Sequence, residues 1–320
     1  MSDSRPLILS ILDPAPAIGL GVIQKLAEIM PEVRLRYLHT SQGQEARILA
    51  LGDEAVMVTP LNDLQELAGS RAIFPCTRPA PPWDELLLEW LRAHPDIHLV
   101  DLSQPGFAGP EAVSCRRPIA PLPQWLHLPH PALAGPLAVL DTLIPVEPLD
   151  VHITLMLPCS SFGEVGILDL AAQGRARLTG APPPAPEVLP EVLAFDLAPA
   201  PAASRKELAR QFSELQPGIT AHIQAVHTGV FFGHAATLSI RCARPTSAAR
   251  VRELLRLHGG VRLTRNIGPA RPSQVAEQSK VVCAELVIDG TWVSLWVAAD
   301  GDQLYGPELI AEVLAALTKV

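Results

Sequence analysis

The sequence predicts an α/β protein of two domains, the first on a mostly parallel sheet and the second of α+β type. Three observations predict it. At 320 residues the chain is too long for one small core. Its first third alternates short apolar runs with helical spacing. Beyond residue 150, strand-like runs outnumber helical ones.

The elements follow in order. LILSIL (7–12) is a short apolar run of the kind buried in a parallel sheet. Ile18, Val22, Leu26 and Ile29 then recur at helical spacing. Strands are expected at 33–38 and 54–58, and a brief buried one at 72–74. Residues 83–94 form a helix with Leu86, Leu87, Trp90 and Leu91 on one side, and 97–100 closes a further β unit. Strands alternating with helices imply right-handed βαβ crossovers, a nucleotide-binding type of architecture. Architecture alone does not establish binding.

In the second part, strands are expected at 151–157, 220–226, 236–241, 281–287 and 292–298, with helices at 205–215 and 247–257. This predicts a mixed or antiparallel sheet with helices on one face. Its other face is of the kind that packs against a second copy. The stretch GAPPPAPEVLPEVLAFDLAPAPAA (180–203) reads as an extended surface connection, because proline fixes φ and donates no backbone hydrogen bond. The last helix, 307–318, has Leu309, Ile310, Val313, Leu314 and Leu317 at core spacing and is expected to return to the first domain.

Composition excludes several functions. A formal charge of −8 and pI ≈ 5.7 disfavour a nucleic-acid partner. Lysines and arginines read as scattered, with only short pairs such as Arg34/Arg36 and Arg116/Arg117. No window is apolar enough for a membrane-spanning helix. The start MSDSRP runs into a strand without a signal-peptide pattern. The five cysteines, at 76, 115, 159, 242 and 283, form no close pair. That suits a reducing cytoplasm and gives neither a disulfide frame nor a CxxC metal site. Aromatics are 4% of residues, so the core is filled by Leu, Val, Ile and Ala.

Seven segments in order carry a resemblance: the opening strand–turn–helix, HLVDLS (98–103), HPALAG (130–135), SSFG (160–163), AFDLAP (194–199), GVFFGH (229–234) and VSLWVAAD (293–300). Together they resemble the aspartate-semialdehyde dehydrogenase family. The resemblance implies a Rossmann-like NAD(P)-binding-type domain at 1–130, joined by the C-terminal helix at 306–320. It implies an α+β catalytic and dimerisation domain at 131–305. The family reaction is the NADPH-linked interconversion of aspartyl phosphate and aspartate semialdehyde.

Carried over position by position, most working parts are lost. Leu133 stands where the family has its nucleophilic cysteine, and an isobutyl group has no lone pair with which to attack a carbonyl. Leu157 stands for the glutamine that orients the acyl intermediate, and His227 for the arginine that clamps the substrate carboxylate. The Glu and Lys that hold substrate fall near Ala209 and Phe212. His234 keeps the acid–base position and reads as a hydrogen-bonded inherited residue. Cys159 reads as a small buried hydrophobe and not a relocated nucleophile. Of the glycines in the phosphate turn only Gly19 remains, in DPAPAIG (13–19). Pro14 and Pro16 remove N–H donors there, and Asp13 adds negative charge. A second cofactor loop has become Pro75-Cys76-Thr77-Arg78, where Arg78 could offset part of the lost anion site. Gly301, not the family's Asn, follows Asp300.

The resemblance thus implies a catalytically degenerate homologue, of the Usg-type branch that lacks the cysteine. It would be a cytoplasmic, non-enzymatic homodimer with a binding or regulatory role toward an unknown protein or metabolite. No cofactor is expected, and NADP if any. Two alternatives stand beside it. One is an NADP-dependent oxidoreductase of the family working by a changed mechanism. The other is a metal-dependent enzyme in which His130, His227 and His234 converge on Zn²⁺ or Fe²⁺.

Overall fold

A computed structural model describes residues 7–14, 17–29, 32–41, 43, 45–51, 54–104, 106–109, 112–114, 121–276, 278–305 and 307–317. Pro16 of the first turn, Cys115 and the pair Arg116/Arg117 lie outside them, as do the side chains of Ile18 and Leu309. The chain divides into two compact units, residues Met1–Pro129 with Tyr305–Val320, and His130–Leu304.

The first unit grows around β1 (Ile8–Leu12), whose Leu9, Ile11 and Leu12 are fully buried. A strand covered on both faces needs no alternation, which is why it reads as a continuous apolar run. The chain continues through α1 (Ala17–Ile29), β2 (Arg34–His39), β3 (Arg47–Leu51), β4 (Glu54–Pro60) and β5 (Ala72–Pro75). It then passes α2 (Trp83–Arg92), β6 (His98–Asp101), β7 (Val113–Ser114) and β8 (Trp125–His127). These strands form one sheet in the order β3-β4-β2-β1-β5-β6-β8-β7. All pairs are parallel except β3–β4. The order reverses at β1, so the turns after β1 and β5 meet at a topological switch point, where open α/β sheets bind ligands.

The second unit contains α3 (Ala134–Leu143), β9 (Pro148–Leu157), α4 (Gly163–Leu178), β10 (Leu197–Pro199), α5 (Ala202–Leu215) and β11 (Thr220–Thr228). It continues with β12 (His234–Cys242), α6 (Ala248–Leu257), β13 (Val261–Leu263), α7 (Pro272–Val275), β14 (Val281–Asp289), β15 (Trp292–Ala299) and α8 (Gly301–Tyr305). The sheet order is β10-β11-β9-β12-β15-β14-β13. It is mixed, with β9–β11 and β13–β14 parallel and the remaining pairs antiparallel. Helices α3, α5 and α6 cover one face and close a core that includes Leu133, Leu140, Leu155, Phe212 and Val251. The other face carries a half-open row in which the rings of His152 and His222 stack at 4.7 Å and Trp292 lies 5.8 Å from His152. The last helix, α9 (Pro307–Leu317), belongs to the first unit and packs on α1.

Several elements were not expected. β3 forms an antiparallel hairpin with β4, and β7 and β8 extend the far edge. In the second unit α3 and α4 add two helices to the pair foreseen. The Pro-rich connection is extended, and it is anchored. Asp169 on α4 accepts from the N–H groups of Glu187, Val188 and Leu189, and Gln173 accepts from those of Leu193 and Ala194. Among the described residues no helix is long and apolar enough to cross a membrane.

Candidate functional site

Strand register brings together three of the positions singled out in the second unit. Ala198 pairs with His227, and His227 with Leu157. The pairing of Ala235 with Met156 sets His234 beside Leu157, and His234 in turn faces Ala299. One rung of the sheet therefore reads Ala198, His227, Leu157, His234, Ala299, at about 4.8 Å per strand. Residues on one rung share a face. This one lies in the helix-covered core, with Leu157 and Ala299 in the same apolar cluster as Ala132 and Leu133.

Leu133 ends a short helical turn, Pro131–Leu133, that leads into α3. It is fully buried. The turn is held by His130, whose Nδ1 accepts from the Ala132 N–H at 3.1 Å, and whose own N–H donates to Gln211 Oε1 at 2.7 Å. Gln211 is fully buried on α5, and its amide donates to Glu207 at 2.9 Å. Phe212 beside it is part of the core, and Ala209 packs against the core. The polar group that α5 turns inward is thus Gln211, which sequence reasoning missed. Its signal was a glutamine on the apolar stripe Leu208, Gln211, Phe212.

His234 departs from expectation. Its ring is buried, and neither ring nitrogen has a hydrogen-bond partner among the described residues. Its reading as a hydrogen-bonded residue is therefore corrected. Burial, and then the ring of His130 at 6.4 Å, push its pKa down to about 3. The imidazole is neutral at physiological pH and leaves one buried N–H unmatched. His227 packs on the ring of Phe162 at 5.0 Å, and burial lowers its pKa too. Leu157 separates it from His234 on the rung. The alternative in which His130, His227 and His234 converge on a metal finds no support: no group of three or more candidate ligands occurs among the described residues.

Cys159 opens the turn Cys159–Phe162 and is buried. Its thiol donates to the Thr228 carbonyl at 3.5 Å. Burial, and then the charge of Asp169, push its pKa up to about 11. A thiol held protonated is a poor nucleophile at neutral pH. Gly301 lies so close to Pro131 that a Cβ there would collide with the Pro131 carbonyl group. No asparagine side chain can be accommodated at that position in this arrangement.

The switch point of the first unit is occupied by its own side chains. Asp13 adopts φ 50°, a left-handed conformation usual for glycine, and is buried. Its carboxylate accepts from the Thr40 N–H at 3.0 Å and the Thr40 hydroxyl at 2.6 Å. The Thr40 oxygen accepts from the Ala80 N–H at 2.8 Å. Asp13 thus ties together the segments that follow β1, β2 and β5. A Cβ on Gly19 would lie 2.7 Å from the Pro14 carbonyl oxygen and 2.8 Å from Cys76 Sγ, so only glycine fits there. Arg78 spends Nε and Nη2 on Asp84 Oδ2, at 3.0 and 2.8 Å. That hydrogen bond, more than any other cause, holds the Asp84 carboxyl below its usual range.

The rung offers two neutral imidazoles in an apolar setting, with no guanidinium, no carboxamide and no reactive thiol. The switch point offers an inward carboxylate and an arginine already engaged.

The sequence matches no family model, and no curated protein sequence matches it. Solved structures do match in shape. Aspartate semialdehyde dehydrogenase II from Vibrio cholerae, solved in complex with ASA, superposes with a TM-score of 0.82 at 17% identity, covering 99% of each chain. A probable aspartate-semialdehyde dehydrogenase from Pseudomonas aeruginosa gives 0.79 at 20% identity over 97% of this chain and 99% of that one. The Candida albicans enzyme, solved with NADP, gives 0.71 at 13% identity over 99% and 100%. The fold is therefore the aspartate-semialdehyde dehydrogenase fold, with a Rossmann-like first domain, an α+β second domain and a C-terminal helix in the first. At these identities the likeness is one of fold.

Proposed function

We propose that this chain is a member of the aspartate-semialdehyde dehydrogenase family, of the Usg-type branch, that has kept the frame and given up the chemistry. The observation that carries the reading is Leu133, fully buried in the core at the family's nucleophile position. Without a covalent nucleophile the family's thiohemiacetal and acyl-enzyme cannot form, and turnover falls by orders of magnitude. Cys159 does not replace it, because its thiol is buried and held protonated.

The surroundings support the same reading. On the rung the clamp and orienting positions are His227 and Leu157, and His234 has no partner to activate. At the switch point Asp13 brings a carboxylate where a dinucleotide phosphate would be bound in the family's manner. We therefore expect no resident NADP. Apolar replacement of a polar cleft removes buried groups that would otherwise need partners, so the fold is preserved as activity is lost. The role left is binding or regulation by a cytoplasmic homodimer, joined through the sheet face that carries His152, His222 and Trp292.

The test is a thermal-shift titration with NADP and with NAD, beside a turnover assay with aspartate semialdehyde, phosphate and NADP. A ligand that binds only the native state raises the melting temperature once it is well above its Kd. No shift at millimolar cofactor and no reduction of NADP are expected. A saturable shift with turnover would replace this reading with that of an oxidoreductase working by a changed mechanism.

A further inference from the structure

The arginines that read as scattered along the chain do not stay scattered in the fold. Arg252 and Arg256 lie one turn apart on α6, Arg262 lies on the edge strand β13, and Arg265 follows it. All four line one open cleft of about 890 Å³. The neighbouring charges on α6 are already matched, since Arg250 pairs with Glu253 at 2.9 Å. None of the four cleft arginines forms an ion pair with a carboxylate among the described residues. Like charges at i, i+4 on a helix repel, so Arg252 and Arg256 gain nothing from each other. In a chain of net charge −8 such a concentration is not an overflow of basic composition.

The fifth charged group is Glu285, and the backbone is bent to bring it there. Register between β14 and β15 shifts between Ala284 and Val287, and Glu285 within that bulge has φ 54°. Bulges re-aim side chains, and a left-handed non-glycine residue is costly enough to need a reason. Leu263 and Leu286 supply apolar wall. The volume is within the usual range of small-molecule sites, about 300–1,000 Å³.

We propose that this cleft binds a small organic molecule ending in a free chain of two or three phosphoryl groups, which NAD and NADP, whose pyrophosphate is esterified at both ends, do not offer. Guanidinium forks match phosphate oxygens in bidentate geometry, and four of them can neutralise a charge of three to four. The apolar wall and the Glu285 carboxylate then receive the uncharged, hydrogen-bond-donating part of the ligand. The site is distinct from the rung of His227 and His234, and it stands whether or not the chain turns over a semialdehyde.

Binding is measured by calorimetry on the full-length protein with ATP, inorganic triphosphate, adenosine and sulfate at matched ionic strength, and with a single-stranded oligonucleotide. The expected result is saturable binding of ATP and triphosphate, one per chain, with adenosine and sulfate inert. Arg256→Gln and Arg262→Gln, both at exposed positions, each weaken ATP by about tenfold. Glu285→Gln weakens ATP but not triphosphate. Absence of saturable binding at millimolar ATP and triphosphate overturns the proposal, as does binding that the arginine variants leave unchanged. Equal binding of sulfate would reduce the cleft to an unspecific anion patch, and much tighter binding of the oligonucleotide would assign it to nucleic acid. A change of oligomeric state in the arginine variants, without change in ATP affinity, would assign it to a subunit contact.

Discussion

The side-chain carbonyl of Gln211 accepts a 2.7 Å hydrogen bond from the backbone N–H of His130. It fixes the turn that delivers Leu133 into the core, and it does so from a fully buried position. Gln211→Leu leaves the His130 N–H unmatched and is expected to lower stability by about 1–3 kcal/mol. Urea denaturation reads this directly. A change below about 0.5 kcal/mol, the range of neutral surface substitutions, would mean that the turn is held by packing alone.

Asp13 separates two effects at one position. Its carboxylate bonds Thr40 twice, and its backbone is left-handed. Asp13→Ala loses the bonds and keeps the strain, costing about 2–3 kcal/mol. Asp13→Gly loses the same bonds but relieves the conformation, so it should be about 1 kcal/mol more stable than the alanine variant. Denaturation midpoints of the two proteins check the order, and the reverse order would disprove it. Neither variant is expected to gain a thermal shift with NADP.

The first unit was legible where physics makes a sequence speak locally. LILSIL is a buried parallel strand because five of its six side chains are aliphatic, and its one polar group, the Ser10 hydroxyl, is matched by that of Ser70. The hairpin of β3 and β4 was half hidden because it exposes Ile48 and Met57, at 79% and 64%, so apolar residues there do not mark a core. Helix α3 escaped for the opposite reason. It is buried nearly all round and starts Ala-Gly-Pro, so it shows no amphipathic period. Helix α4 is anchored by Gln173 and Asp169, polar residues whose partners lie some twenty positions away. Distance in sequence also hid the tie of Asp13 to Thr40 and the inward turn of Gln211, whereas the four arginines are close in sequence and only the fold of α6 against β13 turns them to one cleft. Spacing places a residue on an element, and only the fold says what meets it.

His234 makes stability depend on pH in a defined direction. Its folded pKa, about 3, lies below the value of 6.5 for an unperturbed histidine. The unfolded chain therefore takes up a proton at higher pH than the folded one, and stability falls as pH drops from 6.5 toward 3. The slope from this residue is at most about 1.4 kcal/mol per pH unit. His234→Leu removes that contribution, and because it also removes an unmatched buried N–H it is expected to be neutral or stabilising at pH 7. Stability curves of both proteins between pH 4 and pH 7 test it. An unchanged slope, or a large loss at pH 7, would show that the imidazole has a partner that matters.

On the proposed reading, a cysteine placed at position 133 does not by itself confer the family's reaction. Leu133→Cys leaves a partial cavity and costs roughly 2–3 kcal/mol. The new thiol is buried like that of Cys283, which burial pushes up to about 12. It lies in the same apolar cluster as Leu157, where on the proposed reading no side chain orients a substrate. No turnover and slow alkylation by iodoacetamide are expected, whereas measurable NADPH formation would mean that the rest of the apparatus survives.

Covalent capture tests the proposed loss of chemistry most directly. The protein is incubated with aspartate semialdehyde and NADP, and separately with an acyl phosphate, quenched in acid, and its intact mass is recorded. An unmodified polypeptide mass in both reactions is the expected result. An acyl adduct on any cysteine, formed and released during turnover, would contradict it.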